Sequence, residues 1–114
     1  MQSALGVVEK ISIRRKAQNA MIDFNIIEWI CKLLHVAGKL KEFTLEYLTA
    51  LLINLSLRTE GKKRCERVKT EILKLLRGLL TTKNMQILTH INGTLYSLFT
   101  YLPIKLEARV LSFN

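Results

Sequence analysis

The side chains that could bind a metal or act as nucleophiles are few: Cys31, Cys65, His35 and His90. Cys31 and His35 stand four residues apart, a spacing that places two ligands on one face of a helix. A structural zinc site needs four ligands. His90 has no ligand type beside it, and neither cysteine sits in a CxxC pair. Both thiols therefore read as reduced, small core residues, and no metal or other cofactor is expected. The acidic residues are scattered, without an inward-facing carboxylate pair for acid–base work. A glycine-rich phosphate loop, a nucleophile elbow and HExxH are all missing from the 114 residues. The expectation is a protein without enzymatic activity.

The remaining chemistry is ionic. Eighteen Lys and Arg against nine Asp and Glu give a net charge of +9 and a pI near 9.9, a balance that favours acidic partners. The cations concentrate at Lys62, Lys63, Arg64, Arg67 and Lys69, with a smaller cluster at Arg14, Arg15 and Lys16. Two uses compete: a solvated face that keeps the chain in solution, or a salt-sensitive surface for an acidic protein or nucleic acid. Trp29, Tyr47, Tyr96 and Tyr101 do not make the spaced stacking platform of single-strand binders, so they read as core or groove residues. Asn54 and Asn92 each begin an N-x-Ser/Thr triplet, but both fall inside expected helices, and neither reads as a glycan site.

These groups must be carried by helices. The chain is 49% hydrophobic and Leu-rich, with one Pro and five Gly. That is enough apolar mass for a core and too little helix-breaking residue for a loop-rich fold. No apolar run reaches the ~20 residues of a membrane span, and the start lacks a signal-peptide pattern. The expectation is a soluble intracellular chain. Helical periodicity predicts segments over Ser3–Arg14, Ala17–Phe24, Ile26–His35, Thr44–Arg58, Lys62–Val68, Ile72–Leu80, Met85–Tyr101 and Ile104–Phe113. Thr59 and Thr70 are the expected caps of the fifth and sixth. Asp23–Phe24–Asn25 reads as a corner.

The lengths then repeat as short, medium, long. Ile11–Ser12–Ile13–Arg14 matches Leu55–Ser56–Leu57–Arg58. Ile26, Ile27, Trp29, Ile30, Leu33 and Leu34 match Ile72, Leu73, Leu75, Leu76, Leu79 and Leu80, and Glu46–Leu55 overlays His90–Phe99. These registers lie about 44–46 residues apart, inside the ~40–47 window of HEAT and armadillo repeats. Three helices per unit favour armadillo. The chain is then one array segment over residues 1–114: units 15–57 and 60–102, with partial units at each end.

Ala50–Leu51–Leu52–Ile53–Asn54–Leu55 resembles the third-helix motif of armadillo repeats. Three longer strings, Ala4–Lys16, Thr44–Arg58 and Asn92–Leu98, resemble the armadillo region of the LisH-domain armadillo family of ciliary and basal-body proteins. The resemblance implies an all-α, right-handed superhelical array. It implies a non-catalytic scaffold of the cytoplasm and cytoskeleton, at the basal body, centriole and cilium, that acts in cilium assembly and signalling through protein partners. Those partners would be acidic or microtubule-associated; a basic repeat module for nucleic acid or another acidic polymer is the alternative.

Stacked units bury a continuous core and leave the third helices to line a groove. Lys10, Arg14, Tyr47, Asn54 and Arg58 are the expected groove residues. Only Asn54 fits the asparagine ladder by which peptide-binding armadillo proteins grip a backbone. Ends without a polar cap should expose apolar side chains and promote self-association.

Overall fold

The structure, a computed structural model, describes residues 2–11 and 14–112, and among them there is helix and turn but no strand. Eight α-helices follow one another: α1 Gln2–Ile11, α2 Arg15–Asp23, α3 Ile26–Leu34, α4 Glu42–Ser56, α5 Thr59–Glu66, α6 Lys69–Leu79, α7 Met85–Leu98 and α8 Leu102–Val110. A 3-10 turn at Ala37–Lys39 joins α3 to α4.

The helix ends show where local chemistry overruled the sequence reading. Neither threonine caps. Thr59 is already the first residue of α5, behind an extended Arg58. Thr70 lies inside the first turn of α6, where its hydroxyl donates to Glu107 of α8. A partner on another helix outcompetes the local backbone, which a short hydroxyl can serve either way. The side-chain cap is Asn84 instead. Its Oδ1 accepts from the amides of Gln86 and Ile87, at 3.0 Å each, and starts α7. At the α2–α3 corner Asn25 takes a left-handed backbone (φ 63°), which Asn tolerates better than most residues. Pro103 sits in the first turn of α8, where its missing N–H has no partner to lose.

α4 lies at the centre. It packs against α1 on one side and α7 on the other, with α2, α3 and α5 behind it, while α6 packs against α3, α7 and α8. The core runs unbroken through these elements, from Leu5 and Ile22 through Leu48, Leu51, Leu52 and Leu55 to Leu73, Ile91, Leu98 and Ala108. Two close approaches set the spacing. A Cβ on Gly61 of α5 would stand 1.9 Å from the Leu55 carbonyl oxygen of α4. A Cβ on Gly93 of α7 would stand 2.2 Å from Cδ1 of Ile53.

Burial recurs along the chain and corrects the sequence register. Gln18, Gly61 and Ile104 are buried at successive intervals of 43 residues, as are Ile22, Cys65 and Ala108. Leu48, Leu51, Leu52 and Leu55 of α4 correspond at the same interval to Ile91, Thr94, Leu95 and Leu98 of α7. In the middle helices Ile30, Cys31 and Leu34 correspond to Ile72, Leu73 and Leu76, 42 apart. The spacing of 46 read for those helices is longer by four residues, about one helical turn. A Leu-rich stripe shifted by one turn nearly matches itself, so composition could not separate the two. At the helix starts, Arg14 and Arg58 share an extended conformation, while Ser12 and Ile13 of the matched string lie outside the described residues.

Candidate interaction surfaces

Three surfaces compete for a partner, and the first is the outward line of α4. Phe43, Ala50 and Leu57 fall seven residues apart, hence on one side of the helix. Phe43 and Leu57 are about 60% exposed, at 62% and 60%. Ala50 between them is small and lies low. Val7 of α1 and Tyr96 of α7 (79% exposed) are large apolar residues exposed on the neighbouring helices. Ala50, itself buried, shares the floor of this line with the half-buried Tyr47 and Asn54.

The expected groove residues are placed differently from one another. Lys10 and Arg14 are exposed. Tyr47 is half-buried and lies over α1, its Cζ 3.4 Å from where a Cβ of Gly6 would stand. Asn54 is half-buried, and its backbone oxygen accepts from Gln18 Nε2 at 3.4 Å. Arg58 is half-buried in the α4–α5 turn, with Nε enclosed and no hydrogen-bond partner for that atom among the described residues. Sequence reasoning missed Phe43 and Leu57, although both stand off the core stripe of α4 and are large and apolar, whereas Tyr96, which the sequence reads as a core or groove residue, is exposed.

The second surface is the α5 ridge. Here the five cations do not act together. Arg64 turns inward and bridges to Asn25 Oδ1 and to Glu28 Oε2 (3.5 Å) across the α3–α5 contact. Lys63 meets Glu60 at 3.4 Å within its own helix, and Lys62 donates to the Leu57 carbonyl at 3.3 Å. Arg67 and Lys69 line an open cleft of about 280 Å3 at the α5–α6 turn, but they share it with Glu66 and Glu71. The ridge is a mixed-charge surface, because sequence clustering says nothing about which side chains fold back.

The third surface is an apolar hollow of about 270 Å3 between α1, the α2–α3 corner and α4. It is lined by Leu5, Phe24, Ile26, Trp29 and Leu51. At the other end of the chain Leu102, Leu106 and Val110, four residues apart, make an exposed apolar line on α8.

The metal-ligand candidates go elsewhere. Cys31 and Cys65 are free and buried, and burial pushes each thiol up to about 12. His35 Nε2 pairs with Glu71 at 2.7 Å, tying the end of α3 to α6. His90 Nδ1 lies 2.9 Å from Thr49 Oγ1 across the α4–α7 contact. Among the described residues, no three metal-ligating side chains converge, and no helix is long and apolar enough to cross a membrane.

Comparison with known proteins adds a family. Residues 21–114 match the family model described as LisH domain-containing protein ARMC9, ARM repeats. The chain is 41% identical to LisH domain-containing protein ARMC9 of Danio rerio over 97% of its own length and 14% of that protein's. The Homo sapiens protein of the same name is 41% identical over 96% of the chain and 13% of its own length. The Xenopus laevis protein is 40% identical over 95% and 13%. The chain thus spans about a seventh of the length of the curated relatives it matches. No solved structure matches it.

Proposed function

The chain belongs to the ARM-repeat family of LisH domain-containing protein ARMC9, and from that membership we propose that it is a non-catalytic, protein-binding segment of a ciliary scaffold. Its layers stack as a right-handed armadillo superhelix, with one unit over residues 15–57, a second over 60–102 and partial units at each end. The support is the recurrence of burial every 42–43 residues, because a unit that repeats its buried face needs neighbours on both sides to cover it. The partner lies along the outward face of α1, α4 and α7, where Lys10 and Arg14 rim the apolar strip of Phe43, Ala50 and Leu57. Tyr47, Asn54 and Arg58 shape its floor. Residency at the basal body and cilium rests on the resemblance of the Ala4–Lys16, Thr44–Arg58 and Asn92–Leu98 strings.

Proximity labelling in ciliated cells, with the full-length protein tagged, tests this reading. Proteins of the basal body and cilium should be enriched, and F43D with L57D should deplete a subset of them. Labelling spread evenly through the cytoplasm would defeat the ciliary assignment. A labelling pattern indifferent to the double variant would defeat the binding face. The apolar hollow near Trp29 and the Leu102–Val110 line also make self-association of the isolated chain an expected outcome, measured by sedimentation.

A further inference from the structure

The structure redistributes charge in a way the sequence hides. Five carboxylates are engaged inside the fold: Glu28 with Arg64, Glu46 with Asn84, Glu60 with Lys63, Glu71 with His35 and Glu107 with Thr70. Four of these links join different helices. The acidic residues therefore act largely as staples, and the positive excess lies outward.

That excess gathers on one edge, where α3 and α6 end and α4 and α7 begin. From Trp29 to Lys41 the chain holds Lys32, Lys39 and Lys41 and no Asp or Glu, and from Ile72 to Leu106 it holds Lys74, Arg77, Lys83 and Lys105 and again none. The register of 42 residues between α3 and α6 superposes Lys32 on Lys74 and His35 on Arg77, while Lys41 immediately precedes α4 and Lys83 immediately precedes Asn84, the cap of α7. α3 packs on α6 and α4 on α7, so the two sets lie side by side. Lys32, Lys39, Lys41, Lys74 and Lys83 are all exposed, and none is in an ion pair among the described residues. Three carboxylates border this edge, and Glu71 is held by His35 at 2.7 Å. Glu46 accepts from Asn84 Nδ2 at 2.8 Å, and Glu42 is exposed in the first turn of α4.

We propose that this lysine edge is a docking surface for an extended, Glu/Asp-rich polypeptide segment. The cation type selects the partner. Arginine's planar fork suits phosphate and nucleic-acid recognition, whereas lysine is a mobile, strongly hydrated point charge. On this edge the arginine, Arg77, donates to the Leu111 carbonyl at 2.8 Å. On this edge the other cations are all lysines. Trp29 and Phe43, the exposed aromatics nearest in sequence, do not recur in the next layer, where Glu71 and Gln86 stand, and so offer no ladder on which bases could stack. Paired lysines repeating from layer to layer suit carboxylates spaced along a flexible chain, held by attraction that salt screens within a Debye length of ~8–10 Å. The edge adjoins the apolar strip at Phe43, two residues from Lys41, but its cations are distinct from the strip's apolar side chains, so different variants test the two readings.

The test is fluorescence anisotropy with a labelled oligoglutamate peptide, and a single-stranded oligonucleotide of equal charge in parallel. Salt-sensitive binding of the peptide is expected. K41E with K83E should weaken it about tenfold or more, while K63E with R67E on the α5 ridge leaves it nearly unchanged. E42Q should tighten it. Helicity and melting serve as the folding control, since neither Lys41 nor Lys83 makes a side-chain contact that holds the fold. The inference is overturned if oligoglutamate does not bind at low salt, if both double reversals weaken it equally, or if the oligonucleotide binds more tightly than the peptide.

Discussion

Replacing Gly61 by Ala sets two physical effects against each other. Gly61 is in the first turn of α5, and Ala for Gly in a helix stabilises by up to ~1 kcal/mol. At this position, however, the new methyl would meet the Leu55 carbonyl oxygen at 1.9 Å. Ordinary C···O contact begins near ~3.3 Å, so α4 and α5 must part by about 1.4 Å. The same carbonyl accepts the Arg58 amide at 3.3 Å, and this bond closes the α4–α5 turn. Overpacking of this kind costs ~1–3 kcal/mol, and a disturbed hydrogen bond adds ~1 kcal/mol. The net is a loss of about 1–3 kcal/mol, or several degrees in melting temperature for a domain of this size. Gly78 in α6 is the control. Nothing lies within 4 Å of its Cβ position, so G78A keeps only the propensity gain and should rise by a few degrees. Urea unfolding of the two variants must give midpoints displaced in opposite directions. If G61A unfolds at or above the urea midpoint of G78A, the close approach of α4 to α5 is not real.

Asn84→Ala removes the acceptor for two amides of α7 and the donor to Glu46. It should cost about 1–2 kcal/mol in urea denaturation. Arg64→Ala strands Asn25 and Glu28 and should cost about 1–3 kcal/mol, whereas Lys63→Ala, whose ion pair is solvent-exposed, stays within ~0.5 kcal/mol. The thiols of Cys31 and Cys65 rise from 9.0 to about 12 in the fold. The folded chain therefore keeps protons that the unfolded chain releases between those values. The thiol contribution is fully present below pH 9 and is lost as pH climbs toward 12. At pH 8 a colorimetric thiol reagent should label the native chain far more slowly than the urea-unfolded chain; equal rates would show the cysteines to be accessible.

The helices were readable because they announce themselves locally. Ile27, Ile30 and Leu34, or Leu48, Leu52 and Leu55, carry the helical period in a few residues, and Asp23–Phe24–Asn25 marks the corner without help from elsewhere. Register was not readable to the residue, since Ile72–Leu80 matches Ile26–Leu34 almost as well one turn out of step. The caps failed for a related reason. Thr70 faces a choice between its own helix and Glu107, and only the packing of α6 against α8 decides it. How the basic ridge is distributed was not readable, because Arg64 and Lys63 are adjacent in sequence yet one turns in toward Glu28 and the other stays in solvent. The lysine edge depends on setting residues 32–41 beside 74–83, a comparison available only once the layers are placed.

The α4–α7 contact is pinned at several heights: Asn84 to Glu46, Thr49 to His90, Ile53 against Gly93, and Ser97 Oγ to the Ser56 carbonyl at 2.8 Å. Sliding one helix past the other by a turn, about 5.4 Å, would break all four together, so this seam resists shear in the manner of a keyed joint. The α1–α4 seam has no such key among the described residues; there a tyrosine ring rests on Gly6. A load or a bulky guest that bends the array would be accommodated at that smoother joint, and the pair of layers beyond it would turn as one stiff block.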